Sequence, residues 1–377
     1  MIYLDHAATT PVPKEVADAM YEVLTGQYGN PSSQYAMGLE AKRQVAGWRQ
    51  TVADALGCGA EQLYFTSCGT ESDNWAVTAA CWQNRHLGKH IVTTAVEHNA
   101  VLEPCRWLAQ QGYEVTYVTP GRDGNLTAEQ VLAAVRPDTA LVSVMMVNNE
   151  TGCVFPVAEI AKQLRQRNPR TLLHTDAVQG FLKTPFAAET LGADMISVSA
   201  HKIGGPKGIG ALYIGDRLRS PKPLLAGGGQ ERGLRSGTEA TAQIAGFARA
   251  VELRRERLEE KLAHMAQIKA YAVQKLSQIP DLTVAAQGAA PHILAVSMNG
   301  YPSQNIVSDL SAKGICISAG SACHQGKPSH VVAALKLPKK TASGVIRLSF
   351  GPETTEAEID ACAVALREHH DTRFPML

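Results

Sequence analysis

The hydrophobic pattern between about residue 62 and residue 215 alternates between short apolar runs and longer segments with helical spacing. The short runs predict strands at 62–66, 90–94, 114–118, 140–147, 171–175, 195–199 and 210–214. The segments between them predict helices at 71–83, 101–111, 128–135 and 157–167. Such alternation is typical of βαβ units that build a mostly parallel sheet with helices on both faces. Ligands of these sheets bind beyond the carboxyl ends of the strands.

The pattern changes after residue 240. Residues 241–278 predict one long helix whose charged run, ELRRERLEEK, is expected to face solvent. Strands at 293–298, 316–318 and 345–349 and helices at 303–313, 329–335 and 355–369 follow. The first dozen residues are expected to join this part or to cross to it. We therefore expect an α/β fold with a large domain at 14–255 and a smaller α+β domain formed by 1–13 and 256–377.

Composition narrows the function classes. The chain has 377 residues, of which 45% are hydrophobic and 19% charged, and its formal net charge of +1 gives no electrostatic reason to expect nucleic acid or an anionic membrane as a partner. No apolar run approaches the roughly 20 residues that span a bilayer, and the N-terminus lacks the pattern of a secretion signal. The eight cysteines are widely and irregularly spaced, so we expect neither a disulfide framework nor a metal site. We expect the protein to reside in a reducing cytoplasm.

Two residues at predicted strand ends suggest a cofactor. Lys202 follows the strand 195–199 in the glycine-rich segment SAHKIGGPKGIG, and Asp176 ends the strand 171–175. Pyridoxal phosphate requires a lysine that binds its aldehyde as a Schiff base and a carboxylate that keeps its pyridine nitrogen protonated. A lone lysine after a strand is more often a solvated loop residue, but the pair favours the cofactor.

Three further strand ends carry polar candidates. Gly69 and Thr70 open a helix after the strand 62–66, where free backbone N–H groups can bind a phosphate; an ordinary helix cap is the alternative. His98 follows the strand 90–94 and is either a capping residue or a ring that stacks on the cofactor and moves protons. Asn149 follows the strand 140–147 and is either a turn former or a donor to the cofactor's phenolic oxygen.

The second half of the chain holds three more candidates. The segment 227–241, GGGQERGLRSGTEAT, suits a phosphate or a carboxylate, with a flexible surface loop as the alternative. Cys323 lies near His324 and Lys327 in ISAGSACHQGKPSH, where a thiolate is favoured. Arg347 ends a strand and can bind an amino-acid carboxylate with two hydrogen bonds, although a single arginine is more often a surface residue.

Taken together, the motifs resemble the pyridoxal-phosphate cysteine desulfurases of the nitrogen-fixation and iron–sulfur-assembly type. These belong to the class V aminotransferase branch of the aspartate-aminotransferase fold (type I). The resemblance extends along the whole chain in order, through YLDHAATTP, YGNPSS, FTSCGTESDN, VEHNAV, VNNETG, HTDAVQ, SAHKIGGPKGIGALYI, GGGQERGLRSGT, SAGSAC and IRLSFG. One departure is Cys68-Gly69, where the family usually has Gly-Ala.

The resemblance implies a role for each matching residue. Lys202 binds the aldehyde, Asp176 the pyridinium nitrogen, and Cys323 is the nucleophile that takes up sulfur as a persulfide. Gln179 lies near the phenolic oxygen and Thr238 reaches in from the other subunit of a homodimer. The implied cofactor-binding set is Gly69, Thr70, His98, Asn149, Asp176, Gln179, Ser199, His201, Lys202 and Thr238; the substrate-binding set is Asn30, Asn149 and Arg347; His98 is also counted as catalytic.

The function implied is conversion of L-cysteine to L-alanine, with sulfur passing to Cys323 and then to an acceptor protein, either an iron–sulfur scaffold or a tRNA thiolation enzyme. One alternative is an aminotransferase or selenocysteine lyase of the same fold, which has no use for Cys323. Another is a non-catalytic regulatory homologue, against which the intact Lys202, Asp176 and His98 argue.

Overall fold

The computed structural model describes residues 1–319 and 329–375 of the chain. Its strands are β1 (Ile2–Tyr3), β2 (Leu63–Thr66), β3 (His90–Thr94), β4 (Glu114–Val118), β5 (Thr139–Ser143), β6 (Leu172–Asp176), β7 (Met195–Ser199), β8 (Gly210–Ile214), β9 (Leu282–Val284), β10 (Ile293–Met298), β11 (Ile315–Cys316) and β12 (Val345–Ser349).

The helices surround these strands. They are α1 (Lys14–Thr25), α2 (Ala36–Leu56), α3 (Gly69–Gln83), α4 (Asn99–Gln110), α5 (Ala128–Ala133), α6 (Val157–Arg167), α7 (Ala188–Leu191), α8 (Thr241–Arg255), α9 (Leu258–Leu276), α10 (Ser303–Ala312), α11 (His330–Ala334), α12 (Lys339–Ser343) and α13 (Glu356–Thr372). Within the described ranges, no helix is both long and apolar enough to cross a membrane.

A seven-stranded sheet with the order β2-β8-β7-β6-β5-β3-β4 forms the centre of the larger part. Strand β8 is antiparallel to both of its neighbours, and the other pairs are parallel. Strands β5, β6, β7 and β8 are buried at every position, as expected for parallel-type sheets whose two faces are covered by helices. The prediction of a mostly parallel α/β sheet is therefore confirmed.

The prediction of one long helix over 241–278 is wrong. Helix α8 ends at Arg255 and α9 begins at Leu258, and Arg257 between them has the left-handed backbone angles φ 53° and ψ 38°. The break lets α8 pack against α1 and α2 while α9 packs against α13. No glycine or proline marks it, so tertiary packing overrides a local preference for continuous helix.

The smaller part is built on the antiparallel sheet β12-β10-β9 and the parallel pair β1-β11. The N-terminal residues contact this part, because β1 pairs with β11 and Leu4 lies in the apolar core formed by α9, α10, α13, β10 and β12. The helix break at 256–257 falls beside the expected domain boundary at 255/256. The division into domains at that point stays a prediction.

Candidate active site

A cavity of about 420 Å³ lies beyond the carboxyl ends of the central strands. We call it the strand-end cavity; it is lined by Asp5, Ala7, Ala8, Cys68, Gly69, Thr70, Asp73, His98, Met145, Val147, Asn149, Asp176, Val178, Gln179, Ser199, His201, Lys202, Ser318 and Arg347. The segments after β2, β3, β5, β6 and β7 meet there with the N-terminal segment and β12. The position agrees with the rule for open α/β sheets.

Lys202 lies in the short turn that follows β7. Its Nζ donates to the backbone oxygens of Ala7, at 2.7 Å, and Ala8, at 2.6 Å. Burial lowers the pKa of Lys202 to about 8, and the nearby guanidinium of Arg347 lowers it further than Asp176 raises it. The amine therefore loses its proton far more readily than an exposed lysine, which is what attack on a carbonyl requires.

Asp176 ends β6 and is buried in the wall of the cavity. Its Oδ1 accepts from the backbone N–H of Val178 at 2.9 Å. Burial, and secondarily the neighbouring carboxyl of Asp73, raises the pKa of Asp176 to about 7. In the part of the chain that the structure describes, no ion pair compensates this carboxylate, so a cation bound in the cavity would stabilise its charged form.

His98 caps α4, and its Nδ1 accepts from the N–H of Ala100 at 3.1 Å. The sequence left open whether His98 caps a helix or lies at the cofactor site. In the structure it caps α4 and also lines the strand-end cavity. Burial lowers the pKa of His98 and keeps the ring neutral. Because Nδ1 accepts, the neutral ring carries its proton on Nε2.

Gln179 lines the cavity, and both ends of its side-chain amide form hydrogen bonds within the protein. Its Nε2 donates to Ala7 O at 2.8 Å, while its Oε1 accepts from Lys183 Nζ at 2.8 Å and contacts His292 Nε2 at 3.3 Å. This network fixes which end of the amide points toward Lys202 and the N-terminal segment.

The first turn of α3 supplies the wall opposite β7. A Cβ on Gly69 would lie 2.8 Å from Val178 Cγ2 and 3.5 Å from Ser199 Cβ, so a larger residue at this position would require the Val178 side chain to shift. The free N–H groups of the α3 N-terminus and its dipole favour an anion. Ser199 Oγ is buried without a hydrogen-bond partner among the described residues, and His201 and Thr70 lie on the same rim.

Arg347 enters the cavity from β12. Its Nη2 lies 2.7 Å from Asp5 Oδ1 and its Nη1 donates to Asn149 O at 2.7 Å, while its Nε is buried without a partner within the described ranges. Asn149 Oδ1 is likewise buried and unpartnered there. The strand before Asn149 is shorter than predicted, because β5 ends at Ser143. An extended segment then carries Asn149 to the cavity.

Three predicted site residues are not in the cavity of this single chain. Asn30 is exposed in the loop between α1 and α2, where its Oδ1 accepts from Ser32 N at 2.9 Å. Thr238 is exposed in the loop before α8. Cys323 lies outside the described residues.

The segment that Lys202 contacts, residues 5–8, has no site role that follows from the sequence. Asp5, Ala7 and Ala8 lie in YLDHAATTP, which supported the family resemblance only. The contribution of Ala7 and Ala8 is made by backbone oxygens, so no side-chain pattern could have shown it. Asp5 had a usable signal, since it is an acidic residue directly after an apolar segment.

The strand-end cavity fits pyridoxal phosphate by the chemistry of its donors. The amine of Lys202 is easily deprotonated and matches the aldehyde. The buried carboxyl of Asp176 lacks a cation and matches the ring nitrogen. The N-terminus of α3 and the unpartnered hydroxyl of Ser199 match the phosphate. Among the residues that the structure describes, no group of three or more His, Cys, Asp or Glu side chains could hold a metal ion.

Comparison with known proteins finds the same family that the sequence motifs resemble. The family model described as aminotransferase class-V matches residues 2–362. A relative named cysteine desulfurase from Trichormus azollae is 42% identical over 365 residues, which are 96% of this chain and 90% of the relative. A relative named cysteine desulfurase IscS from Methanosarcina thermophila is 38% identical over 377 residues, with 95% and 89% covered. The solved structure of a protein titled NifS-like superposes with a TM-score of 0.92 at 36% identity and covers 99% of this chain and 100% of that chain.

Proposed function

The chain belongs to the class-V aminotransferase family, and from this premise we propose that it is a pyridoxal-phosphate-dependent cysteine desulfurase that converts L-cysteine to L-alanine. The observation that carries the proposal is the meeting of Lys202, Asp176 and Arg347 in one cavity. The direct test is incubation of the purified protein with L-cysteine and a thiol reductant. Equal amounts of alanine and sulfide are expected.

The residues that line the strand-end cavity have separate roles in binding and in proton transfer. Asp176 would hold the protonated ring nitrogen of the cofactor, and the α3 N-terminus with Ser199 and His201 would hold its phosphate. Bound pyridoxal phosphate supplies an aldehyde for amines and a ring that accepts electrons from the substrate's α-carbon. Lys202 Nζ would bind the aldehyde, and its low pKa would let it take up the α-proton of the substrate as a base. Arg347 binds the substrate carboxylate with the donors that Asp5 and Asn149 leave free.

His98 and Gln179 position the reacting groups. The ring of His98 is kept neutral by burial and offers the Nε2 proton to the cavity. Gln179 is fixed by Lys183 and His292, so its amide does not rotate when the cofactor binds. Asn149 lies beside Arg347, which donates to its backbone oxygen, and its Oδ1 is an acceptor without a partner among the described residues.

The Asp176→Asn variant is expected to keep the fold and to lose at least about a hundredfold of its turnover of cysteine. An asparagine preserves the hydrogen bond from Val178 but cannot compensate a protonated ring nitrogen. Initial rates of alanine release at saturating cysteine measure the loss. Asp73→Asn is the matched control, because this second buried carboxyl lines the same cavity and has no assigned role toward the cofactor. Equal losses in both variants would contradict the assignment.

Cys323 is the proposed sulfur acceptor within the chain. The described residues on either side of it support this role. Ser318 lines the strand-end cavity five residues before Cys323, and a five-residue extended chain spans at most about 17 Å. Ser329, six residues after it, donates to Glu150 Oε2 at 2.5 Å beside Asn149. Ser318, before Cys323, thus lines the cavity, and Ser329, after it, is bonded to the neighbour of the cavity-lining Asn149.

We also propose a homodimer in which Thr238 and Asn30 complete the partner's cavity. Both residues are exposed in the single chain, and Asn30 is flanked by the exposed side chains of Tyr28 and Tyr35, with Leu39 exposed on α2. Apolar surface of this kind marks an interface, and a two-fold pairing is the commonest closed arrangement.

Sedimentation velocity is expected to give a dimer at micromolar concentration. Leu39→Asp is expected to give a monomer that retains little cofactor and little activity, because a charge in the contact is costly to bury. Val364→Asp is the control, since Val364 is equally exposed but lies on α13. A monomeric wild-type protein that turns over cysteine at full rate would refute the dimer.

The acceptor that takes the sulfur from Cys323 is proposed to be a protein, either an iron–sulfur scaffold or a tRNA thiolation enzyme. The compartment is proposed to be the cytoplasm, since the seven described cysteines are all free thiols, as in a reducing environment. Affinity capture of persulfide-labelled partners from cell extract distinguishes the two acceptors.

A further inference from the structure

A second cavity, of about 460 Å³, lies between the N-terminal segment, the end of α8 and the segment before α13. We call it the junction cavity. It is separate from the strand-end cavity, since no described residue lines both. His201 and Lys202 line the strand-end cavity, whereas the next two residues, Ile203 and Gly204, line the junction cavity. None of the roles assigned above uses this space.

The guanidinium of Arg254 is the distinctive feature of the junction cavity. Arg254 lies in the last turn of α8 and is only 8% exposed. Its Nε donates to Leu182 O at 3.2 Å and its Nη2 lies 3.6 Å from Met265 Sδ, but its Nη1 has no hydrogen-bond partner among residues 1–319 and 329–375. No carboxylate in those ranges forms an ion pair with it, and Glu353 is the carboxylate that acts on its charge from a greater distance. A buried, unpaired cation is costly, so the cavity lacks an anion at this point.

The other charges restrict which anion fits. Lys261 donates one hydrogen bond from its Nζ to Leu253 O at 2.6 Å and keeps its positive charge at the cavity wall. Glu353 is exposed at the wall, and Glu358 also lines the cavity, which gives the cavity two acidic groups beside two basic ones. This balance disfavours a dianion such as phosphate and leaves a carboxylate available for an ammonium group. His6 adds no charge, since burial lowers its pKa to about 4.

The remaining surface of the cavity is mainly apolar. Val12 and Pro13 contribute one wall, and Ala250 and Leu253 of α8 contribute the facing one. A ligand that satisfies all three features has one carboxylate, one ammonium group and a small apolar body. That combination is an α-amino acid with an apolar side chain.

We propose that the junction cavity is a second ligand site, which binds a small apolar α-amino acid with its carboxylate on Arg254 and its ammonium group toward Glu353. The proposal goes beyond the desulfurase activity and does not depend on it. Binding in this cavity can be measured whether or not the chain turns over cysteine.

L-Proline is a suitable probe, because it is a compact apolar zwitterion whose secondary amine does not form a neutral imine with an aldehyde. Isothermal titration of the holoenzyme with L-proline is expected to saturate at one site per chain. Cyclopentanecarboxylate, which has the same ring size and carboxylate but no ammonium group, is expected to bind at least about fivefold more weakly. Equal affinity for the two compounds, or no saturable binding of proline, would overturn the proposal.

Arg254→Met is the decisive variant, since methionine fills similar space without charge. It is expected to weaken proline binding at least about tenfold, the order lost with one charged hydrogen bond. Arg255→Met is the matched control, because Arg255 is the adjacent residue and is exposed; its affinity is expected to equal that of the wild type. Proline binding that survives Arg254→Met but is lost in Arg347→Gln would place the ligand in the strand-end cavity and contradict the inference.

A second variant guards against an effect of Arg254→Met on folding. Val12 is 40% exposed on the wall of the junction cavity, so Val12→Trp fills the cavity from its rim and leaves Arg254 in place. It is expected to weaken proline binding to a similar degree while the thermal unfolding curve keeps its wild-type cooperativity. Unchanged proline affinity in Val12→Trp would refute the location of the site.

Discussion

Replacement of Lys202 by alanine is expected to abolish the visible absorbance band of covalently held pyridoxal phosphate and to lower cysteine turnover by at least about three orders of magnitude. Lys202 provides the only amine that the strand-end cavity presents among its described lining residues. Removal of a group that acts both as the covalent anchor and as the base has effects of this size or larger. The measurements are an absorbance spectrum of the purified protein and mass-spectrometric detection of alanine formed from L-cysteine.

Two variants separate chemistry from structure in this experiment. Lys202 also ties the N-terminal segment to β7 through Ala7 O and Ala8 O, so its loss removes two hydrogen bonds as well as an amine. Lys202→Gln keeps a donor for one of these carbonyl groups but cannot bind an aldehyde, and it is expected to be as inactive as the alanine variant. Lys207→Ala, an exposed residue of the same glycine-rich segment, is expected to be fully active. Alanine release that persists in Lys202→Gln would disprove the role.

The strands around the site could be predicted from sequence because their burial leaves a simple mark. Strands β6 and β7 are buried along their whole length, and each begins with apolar residues and ends in a polar one, at Asp176 and Ser199. The position of Asp176 and Lys202 at one sheet edge follows from this, since parallel strands bring their carboxyl ends together. Those two residues were therefore predicted as partners, and both lie in the wall of one cavity.

Other features could not be read from sequence, for a different physical reason. Arg254 and Arg257 lie in the charged run ELRRERLEEK, which has the pattern of a solvated helix. Arg254 is buried where it contacts Leu182 and Met265, which lie outside this run, and Arg257 adopts a left-handed conformation where the chain changes direction between α8 and α9. Long-range packing of this kind has no local sequence signal.

Contacts made by the main chain escape prediction as well. Ala7 and Ala8 accept hydrogen bonds from Lys202 through their carbonyl oxygens, which every residue possesses. The roles of Asn30 and Thr238 also cannot be derived from the fold of one chain, because both residues are proposed to complete the cavity of a second copy. The resemblance to a family supplied these residues, and the dimer experiment is what tests them.

Replacement of Cys323 by serine is expected to leave cofactor binding intact and to stop sulfide production from L-cysteine. Lys202, Asp176 and the α3 N-terminus bind the cofactor without this thiol, so the visible absorbance band should persist and added cysteine should still perturb it. A serine hydroxyl has nearly the same size but lacks the nucleophilicity of a thiolate, so it cannot form a bond to the substrate sulfur as the carbon–sulfur bond breaks.

The control for this variant is another cysteine, because the structure offers a competing thiol. Cys68 lines the strand-end cavity at the start of α3, and serine is a good residue for that helix-capping position, so Cys68→Ser should fold normally. It is expected to produce sulfide at close to the wild-type rate. Mass spectrometry of wild-type protein treated with cysteine should find the added sulfur on the peptide that contains Cys323 before any other. Sulfide production that is lost in Cys68→Ser and retained in Cys323→Ser would move the persulfide to Cys68, and full activity in both variants would mean that the enzyme releases sulfur without a protein persulfide.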